Sequence, residues 1–68
     1  MASPTYKKIE VIGTSPNSYA EATRNAVEKA AETLHGLSWF EVTELRGAIK
    51  DSKVVEFQVS LKVGLKLD

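Results

Sequence analysis

Apolar and polar residues alternate along the last part of the chain. From Val55 to Leu67 every second residue is apolar, and the residues between them are polar except for Gly64. A period of two predicts a β-strand with one apolar and one polar face. The predicted strand is longer than most. We therefore expect it to extend beyond its own core and to contact neighbouring subunits.

A second strand is predicted over Trp39–Ile49, with Asp51-Ser52 as the turn between the two. Its alternation changes phase, since Phe40 and Val42 share one parity whereas Leu45 and Ile49 share the other. A β-bulge between Val42 and Leu45 would reconcile the two halves.

The first part of the chain predicts a strand and then a helix. Ile9, Val11 and Ile12 lie among charged residues and indicate a strand over Thr5–Gly13. The segment Gly13–Asn17 has the residues of a turn.

Ser18 and Glu21 have the spacing of a capping box, which predicts a helix start. The helix is expected to run to about His35, with Gly36 as the residue after its C-cap. The predicted buried stripe consists of Ala20, Thr23, Val27, Ala30, Ala31 and Leu34.

The element order β-α-β-β predicts the α+β class, as a single domain over residues 1–68 with a three-stranded antiparallel sheet on one helix. So short a chain buries little surface alone. Its lack of cysteine and its single histidine exclude disulfides, thiolate metal sites and His-rich metal sites within one chain. Association remains as the stabilising route, so we expect a homo-oligomer without a metal.

Charge and hydropathy limit the classes of partner and the cellular location that we expect. Nine basic residues balance nine acidic ones, which argues against a nucleic-acid partner. The segment Met1–Lys8 lacks the apolar run of a secretory signal, and no segment is apolar for long enough to cross a membrane. The expected location is the cytoplasm.

The sequence offers little for catalysis. It has no cysteine nucleophile and no Gly-x-Ser-x-Gly motif, and the loop at Gly13 lacks the further residues of a phosphate-binding loop. His35 lies near a predicted helix end, where a cation is favourable. Glu21, Glu28 and Glu32 are typical of a solvated helix face. We therefore expect a binding protein, not an enzyme.

Three side chains are candidates for ligand binding, each with an ordinary structural alternative. Trp39, the only tryptophan, is either a core or interface aromatic or a platform for a flat ring. Gln58 is either solvated or bonded to the edge of a heterocycle. Arg46 either pairs with an acid such as Glu44 or holds a phosphate.

The chain resembles the dodecins, a family of small flavin-binding proteins, in four segments that occur in order and span nearly its whole length. These segments are Tyr6–Ser15, Leu37–Val42, Leu45–Gly47 and Phe57–Gly64. The resemblance implies a β-α-β-β subunit whose sheet wraps the helix. It also implies that twelve copies form a hollow homododecamer.

The resemblance further implies a site in which Trp39 and its symmetry mate enclose a pair of flavins. Gln58 would bond the polar edge of the ring, and Arg46 would contact the flavin tail or its phosphate. Lys66 lies where many relatives have arginine, so it keeps the charge without the bidentate fork. FMN is expected, with riboflavin or lumichrome as alternatives. Coenzyme A binding, at a position the sequence does not assign, is a further expectation from the family.

The expected function is flavin storage or sequestration, with the indole quenching the photochemistry of the bound flavin. Two alternatives remain open from the sequence. One is a flavin-dependent redox subunit, and the other is a structural homo-oligomer in which Trp39 packs at an interface without flavin.

Overall fold

The computed structural model describes residues 3–68 as three strands and one helix. They are β1 (Tyr6–Ser15), α1 (Tyr19–Ala31), β2 (Leu37–Lys50) and β3 (Lys53–Lys66). The strands form one antiparallel sheet in the order β1-β3-β2. This confirms the predicted α+β class and the β-α-β-β order. Met1 and Ala2, which the predicted single domain includes, lie outside the described residues.

The central strand is β3, the strand with the regular alternation. Val59, Leu61 and Val63 are at most 1% exposed and form the core together with the helix. The apolar residues at the two ends of the alternation, Val55 and Leu67, remain exposed. The predicted apolar face is therefore buried only along its middle, where the helix covers it.

The helix begins where the sequence predicts but ends earlier. The Ser18 side chain accepts a hydrogen bond from the backbone N–H of Glu21 at 3.0 Å. The helix ends at Ala31 instead of about His35, and the N–H of Leu34 closes the last turn on the carbonyl of Ala30.

Gly36 does not terminate the helix as predicted, because it belongs to the entry into β2. Its φ is +78°, and its carbonyl accepts a hydrogen bond from the N–H of Lys66 at 2.9 Å. The backbone conformation that favours glycine was expected correctly, but its structural use was not.

The buried face of α1 consists of Ala22, Ala26 and Ala30, so the predicted stripe is wrong in part. Ala20 and Ala31, which we assigned to it, are exposed. Alanines occur on several sides of this helix, and the choice among them is made by packing. Ala22 and Ala26 lie against Gly13, where a Cβ atom would be 2.7 Å from the Ala26 Cβ and closer still to the Ala22 carbonyl oxygen. The helix therefore crosses the sheet at a position without a side chain.

The bulge and the turn that the sequence predicts for the hairpin are both present. The pairing of β2 with β3 shifts between Val42 and Glu44, which confirms the bulge. The side chain of the extra residue, Thr43, donates to the carbonyl of Ser60 at 3.1 Å. Asp51 and Ser52 form the turn with φ of 53° and 63°, as a two-residue hairpin turn between twisted strands requires.

One face of the sheet extends well past the helix. The helix has 13 residues, a length of about 20 Å. The 14-residue strands β2 and β3 each span about 46 Å. Strand β2 has no buried residue, and its exposed apolar side chains include Phe40, Leu45 and Ile49. No helix within residues 3–68 is long and apolar enough to cross a membrane.

Gly13→Ala should destabilise the protein, because the added methyl group meets the backbone of α1 and not a flexible side chain. Overpacking a core costs about 1–3 kcal/mol, and we expect the upper end of this range. Thermal unfolding at a fixed protein concentration measures the change.

The matched control is Gly47→Ala, where the added Cβ would lie 3.1 Å from the Glu56 carbonyl oxygen. This contact is relieved by a small shift, so the loss should be smaller. Equal losses in the two variants would contradict the importance of the close approach between α1 and β1.

Candidate functional site

Trp39 lies near the start of β2, on the face of the sheet opposite to the core. It is paired with Gly64, whose neighbours Val63 and Leu65 point to the helix side. The ring of Tyr6 lies 5.8 Å from the indole, at an interplanar angle of 58°. The indole is 39% exposed. It is therefore supported by the sheet on one side and accessible on the other.

An ion pair flanks this indole. Lys8, which is opposite Gly64 on β1, places its Nζ 6.0 Å from the centroid of the Trp39 ring and donates to Oε1 of Glu41. This hydrogen bond, and then the charge of Lys8, hold the pKa of Glu41 below its ordinary value of 4.5, with a smaller contribution from Lys62. Glu41 is thus ionised at neutral pH, and its partner Lys8 lies beside the Trp39 ring.

Arg46 and Gln58 face each other across β2 and β3 near the middle of β3, where β1 ends. Nη2 of Arg46 donates to Glu44 Oε1 and to Ser60 Oγ, each at 2.8 Å. Nε2 of Gln58 donates to Glu56 Oε1, also at 2.8 Å. The salt bridge to Glu44 that the sequence offered as an alternative is present. It engages only one guanidinium nitrogen, so the remaining donors of Arg46 can bind a further group.

Lys66, the last residue of β3, lies at the Trp39 end of the sheet. It pairs with Tyr6 and is two residues beyond Gly64, so it belongs to the same face as the indole. Its side chain is exposed. A cation is therefore available close to the aromatic pair of Tyr6 and Trp39.

The four predicted site residues form two separate groups in one chain. Trp39 and Lys66 lie at the end of the sheet where β3 finishes, and Arg46 and Gln58 lie near the middle of β3. Gln58 precedes Gly64 by six positions on the same strand, a distance of about 20 Å. We call these groups the aromatic half-site and the polar half-site. A flat ring stacked on the indole therefore lies about 20 Å along the strand from the backbone of Gln58 of the same subunit.

Sequence reasoning missed three residues of the aromatic half-site, namely Tyr6, Lys8 and Gly64. The first two depend on the pairing of β1 with β3, which the alternation of apolar residues does not reveal. Gly64 did carry a signal, because it is the only interruption of the polar positions in β3. A glycine inside a strand often marks the close approach of another group.

Metal ligands are not grouped in this structure. Within residues 3–68, no three or more histidine, cysteine, aspartate or glutamate side chains lie close enough together to hold a metal ion.

The fold and the two half-sites define a small α+β subunit with two groups of candidate ligand-binding side chains on one sheet. This chain belongs to the dodecin family, whose family model, described as Dodecin, matches residues 5–68. The resemblance seen in the sequence is thereby confirmed. Family membership supports a small flavin-binding protein, since dodecins are multimeric proteins that bind small molecules such as flavins.

Individual relatives support the same assignment. The chain is 46% identical over 63 residues to a dodecin from Thermus thermophilus, covering 93% of this chain and 91% of the relative. A dodecin structure from Streptomyces coelicolor matches with a TM-score of 0.93 and 50% identity, covering 100% of this chain and 97% of that one. A protein named calcium dodecin, from Mycobacterium tuberculosis, is 31% identical over 62 residues, covering 91% of this chain and 87% of the relative.

The Glu41 carboxyl should titrate below pH 4.5 in the folded protein, and Lys8→Met should raise its pKa toward that value. Because the folded pKa is lowered, the ion pair stabilises the fold above about pH 4.5, and this contribution is lost as the pH falls through the folded pKa. A carbon-13 NMR titration of the Glu41 side chain measures the pKa directly.

The control is Lys62→Met, which removes a positive charge that acts on Glu41 only through space. Its effect should be smaller than that of Lys8→Met. A larger shift in the Lys62 variant would contradict the assignment of Lys8 as the main partner.

Proposed function

We propose that this protein stores or sequesters flavins in the cytoplasm as a homododecamer. In this proposal, symmetry-related Trp39 side chains stack on a pair of flavins and quench their photochemistry. The observation that carries the proposal is the setting of Trp39. Its indole is supported by the sheet at Gly64, flanked by Tyr6, and exposed over 39% of its surface. A large aromatic ring held in this way is suited to stacking on another flat ring.

The predicted site residues fit the chemistry of a flavin. The indole matches the flat ring system, the Gln58 amide offers both a donor and an acceptor to its polar edge, and Arg46 and Lys66 are cations for the tail. These cations make FMN the proposed ligand, ahead of riboflavin or lumichrome, which lack a phosphate. A bound flavin supplies an excited state that an adjacent indole can quench by electron transfer.

The proposed site is completed by a second copy of the chain. The aromatic and polar half-sites lie about 20 Å apart along β3, so we propose that a flavin stacked on Trp39 is contacted by Gln58 and Arg46 of another subunit. The surface of the single chain supports association as well. Strand β2 leaves Phe40, Leu45 and Ile49 at least half exposed, as is typical of a surface that another protein covers.

The proposed role is binding and not catalysis. In a flavin pair enclosed between two indoles, each flavin has one face covered by an indole and the other by the second flavin, so a second substrate has no access to either face. The relative named calcium dodecin does not lead us to propose calcium here, because the described residues contain no group of three metal-ligating side chains.

Native mass spectrometry of freshly purified protein, together with a flavin fluorescence titration, tests the proposal. We expect an assembly of twelve chains with bound flavin, and loss of flavin emission on binding. Trp39→Ala should weaken binding roughly 5- to 150-fold, since loss of one aromatic stacking partner costs about 1–3 kcal/mol. The number of chains in the assembly should not change.

Gln58→Ala is the matched comparison, because it removes a hydrogen bond and leaves the indole. It should weaken binding roughly fivefold, about 1 kcal/mol, while the fluorescence of the bound flavin remains quenched. A monomeric protein, or flavin whose fluorescence is unchanged on binding, would contradict the proposal. Sustained NADH oxidation would favour the redox subunit, and an assembly that binds no flavin would favour the structural oligomer.

Lys66→Ala should lower the affinity for FMN more than the affinity for riboflavin, because only FMN has a phosphate for the ammonium group. Hydrogen bonds to charged groups contribute about 1.5–3 kcal/mol, so a loss of roughly tenfold or more is expected. Parallel titrations at two salt concentrations measure the effect, which should shrink at high salt.

Lys29→Ala is the control for a general loss of positive charge. Lys29 lies on α1, is exposed, and pairs with Glu32 at 3.3 Å. If this variant lowers FMN affinity as much as Lys66→Ala, Lys66 does not act on the phosphate.

A further inference from the structure

Gly64 is the residue on which the Trp39 indole lies. A Cβ atom at position 64 would be 2.5 Å from Cδ2 of Trp39 and closer still to Cε2 and Cζ2. All three atoms belong to the six-membered part of the indole. The ring therefore occupies the space that any side chain at position 64 would need.

The requirement for glycine at this position is spatial and not conformational. Gly64 lies within a regular strand, paired with Lys8 on one side and Trp39 on the other. Among the glycines described, only Gly36 has a positive φ. The backbone at position 64 thus accepts any L-residue, and the nearest obstacle to a side chain is the indole itself.

A methyl group at position 64 would raise the indole from the sheet. Carbon atoms in contact are separated by about 3.5–4.0 Å, so a Cβ now 2.5 Å from Cδ2 requires a displacement of about 1 Å or more. If two symmetry-related indoles face each other, the gap between them narrows by about 2 Å. This is more than half the thickness of one stacked ring.

We propose that Gly64 is a positioning residue, which sets the height of the Trp39 indole above the sheet and thereby the depth of the space for stacked ligands. The effect on ligands rests on the proposed function, whereas the effect on the indole does not. Gly64 touches no ligand in this proposal and acts only through Trp39.

Gly64→Ala in the assembled protein tests the inference, with Trp39 as its own reporter. Because the chain has a single tryptophan, its emission reports this site alone. In ligand-free protein we expect the emission to shift to longer wavelength and acrylamide quenching to increase as the ring leaves the sheet. The affinity for riboflavin should fall at least tenfold, and the number of chains in the assembly should stay the same.

Gly47→Ala is the control for adding a methyl group to a glycine of the same hairpin, away from the indole. It should leave Trp39 emission unchanged. Unchanged emission and unchanged riboflavin affinity in Gly64→Ala would overturn the inference, as would an equal emission change in both variants.

A double-mutant cycle decides the case even if Gly64→Ala does not assemble. Removal of the indole removes the three atoms nearest to a Cβ at position 64, and alanine there also restricts the unfolded chain. Adding Gly64→Ala to Trp39→Ala should therefore raise the unfolding temperature, whereas in the wild type it lowers it. A decrease of similar size in both backgrounds would show that the glycine serves another purpose.

The ligand-free measurements separate this inference from the proposed function. If the wild type binds no flavin, the proposed function fails, and the emission and the cycle still decide whether Gly64 positions the indole. If the wild type binds flavin and Gly64→Ala binds it equally well, the inference fails and the proposed function stands.

Discussion

The sheet of this subunit is more than twice as long as the helix that covers it, and most of the other features follow from this mismatch. A helix of about 20 Å shields only the middle of strands that span about 46 Å. Apolar side chains of β2 such as Phe40, Leu45 and Ile49 are consequently at least half exposed in the single chain. The length of the strands also places the aromatic and polar half-sites about 20 Å apart along β3. The same geometry thus leaves a surface uncovered and separates the candidate site residues into two groups.

Two glycines allow close packing on the two faces of the sheet. On the inner face, Gly13 admits the backbone of α1, and the small side chains of Ala22 and Ala26 face it. On the outer face, Gly64 admits the indole of Trp39. In each case a large group lies directly on a strand because one side chain is missing. The first contact sets how the core closes, and the second sets how the proposed ligand platform is presented.

Local patterns predicted the parts of the fold that depend on neighbouring residues. The alternation in β3, the turn at Asp51-Ser52 and the bulge after Val42 all follow from short-range rules, and all are present. The buried face of α1 did not follow from such rules. Alanine on several sides of a helix gives no clear apolar stripe, so the contact with Gly13 determines the orientation.

In the candidate site, too, the sequence identified single residues but not which of them lie together. Trp39, Arg46, Gln58 and Lys66 could be named from residue type and family resemblance, but their grouping depends on strand pairing. The pairing of Trp39 with Gly64, and of Arg46 with Gln58, joins residues far apart in sequence. The register of this hairpin depends on the turn at Asp51-Ser52 and on every shift along β2, and the shift between Ala48 and Ile49 was not predicted. The positions of Tyr6 and Lys8 beside Trp39 could not be predicted, because they depend on the pairing of β1 with β3.

The separation of the half-sites links ligand binding to assembly. If Trp39 of one copy and Gln58 of another must contact the same flavin, the ligand binds the assembled form more tightly than the single chain. By mass action such a ligand stabilises the assembly, and the assembly in turn raises the affinity for the ligand. In the proposed assembly, a chain that cannot cover its own sheet therefore gains stability and its binding site from the same contacts between copies.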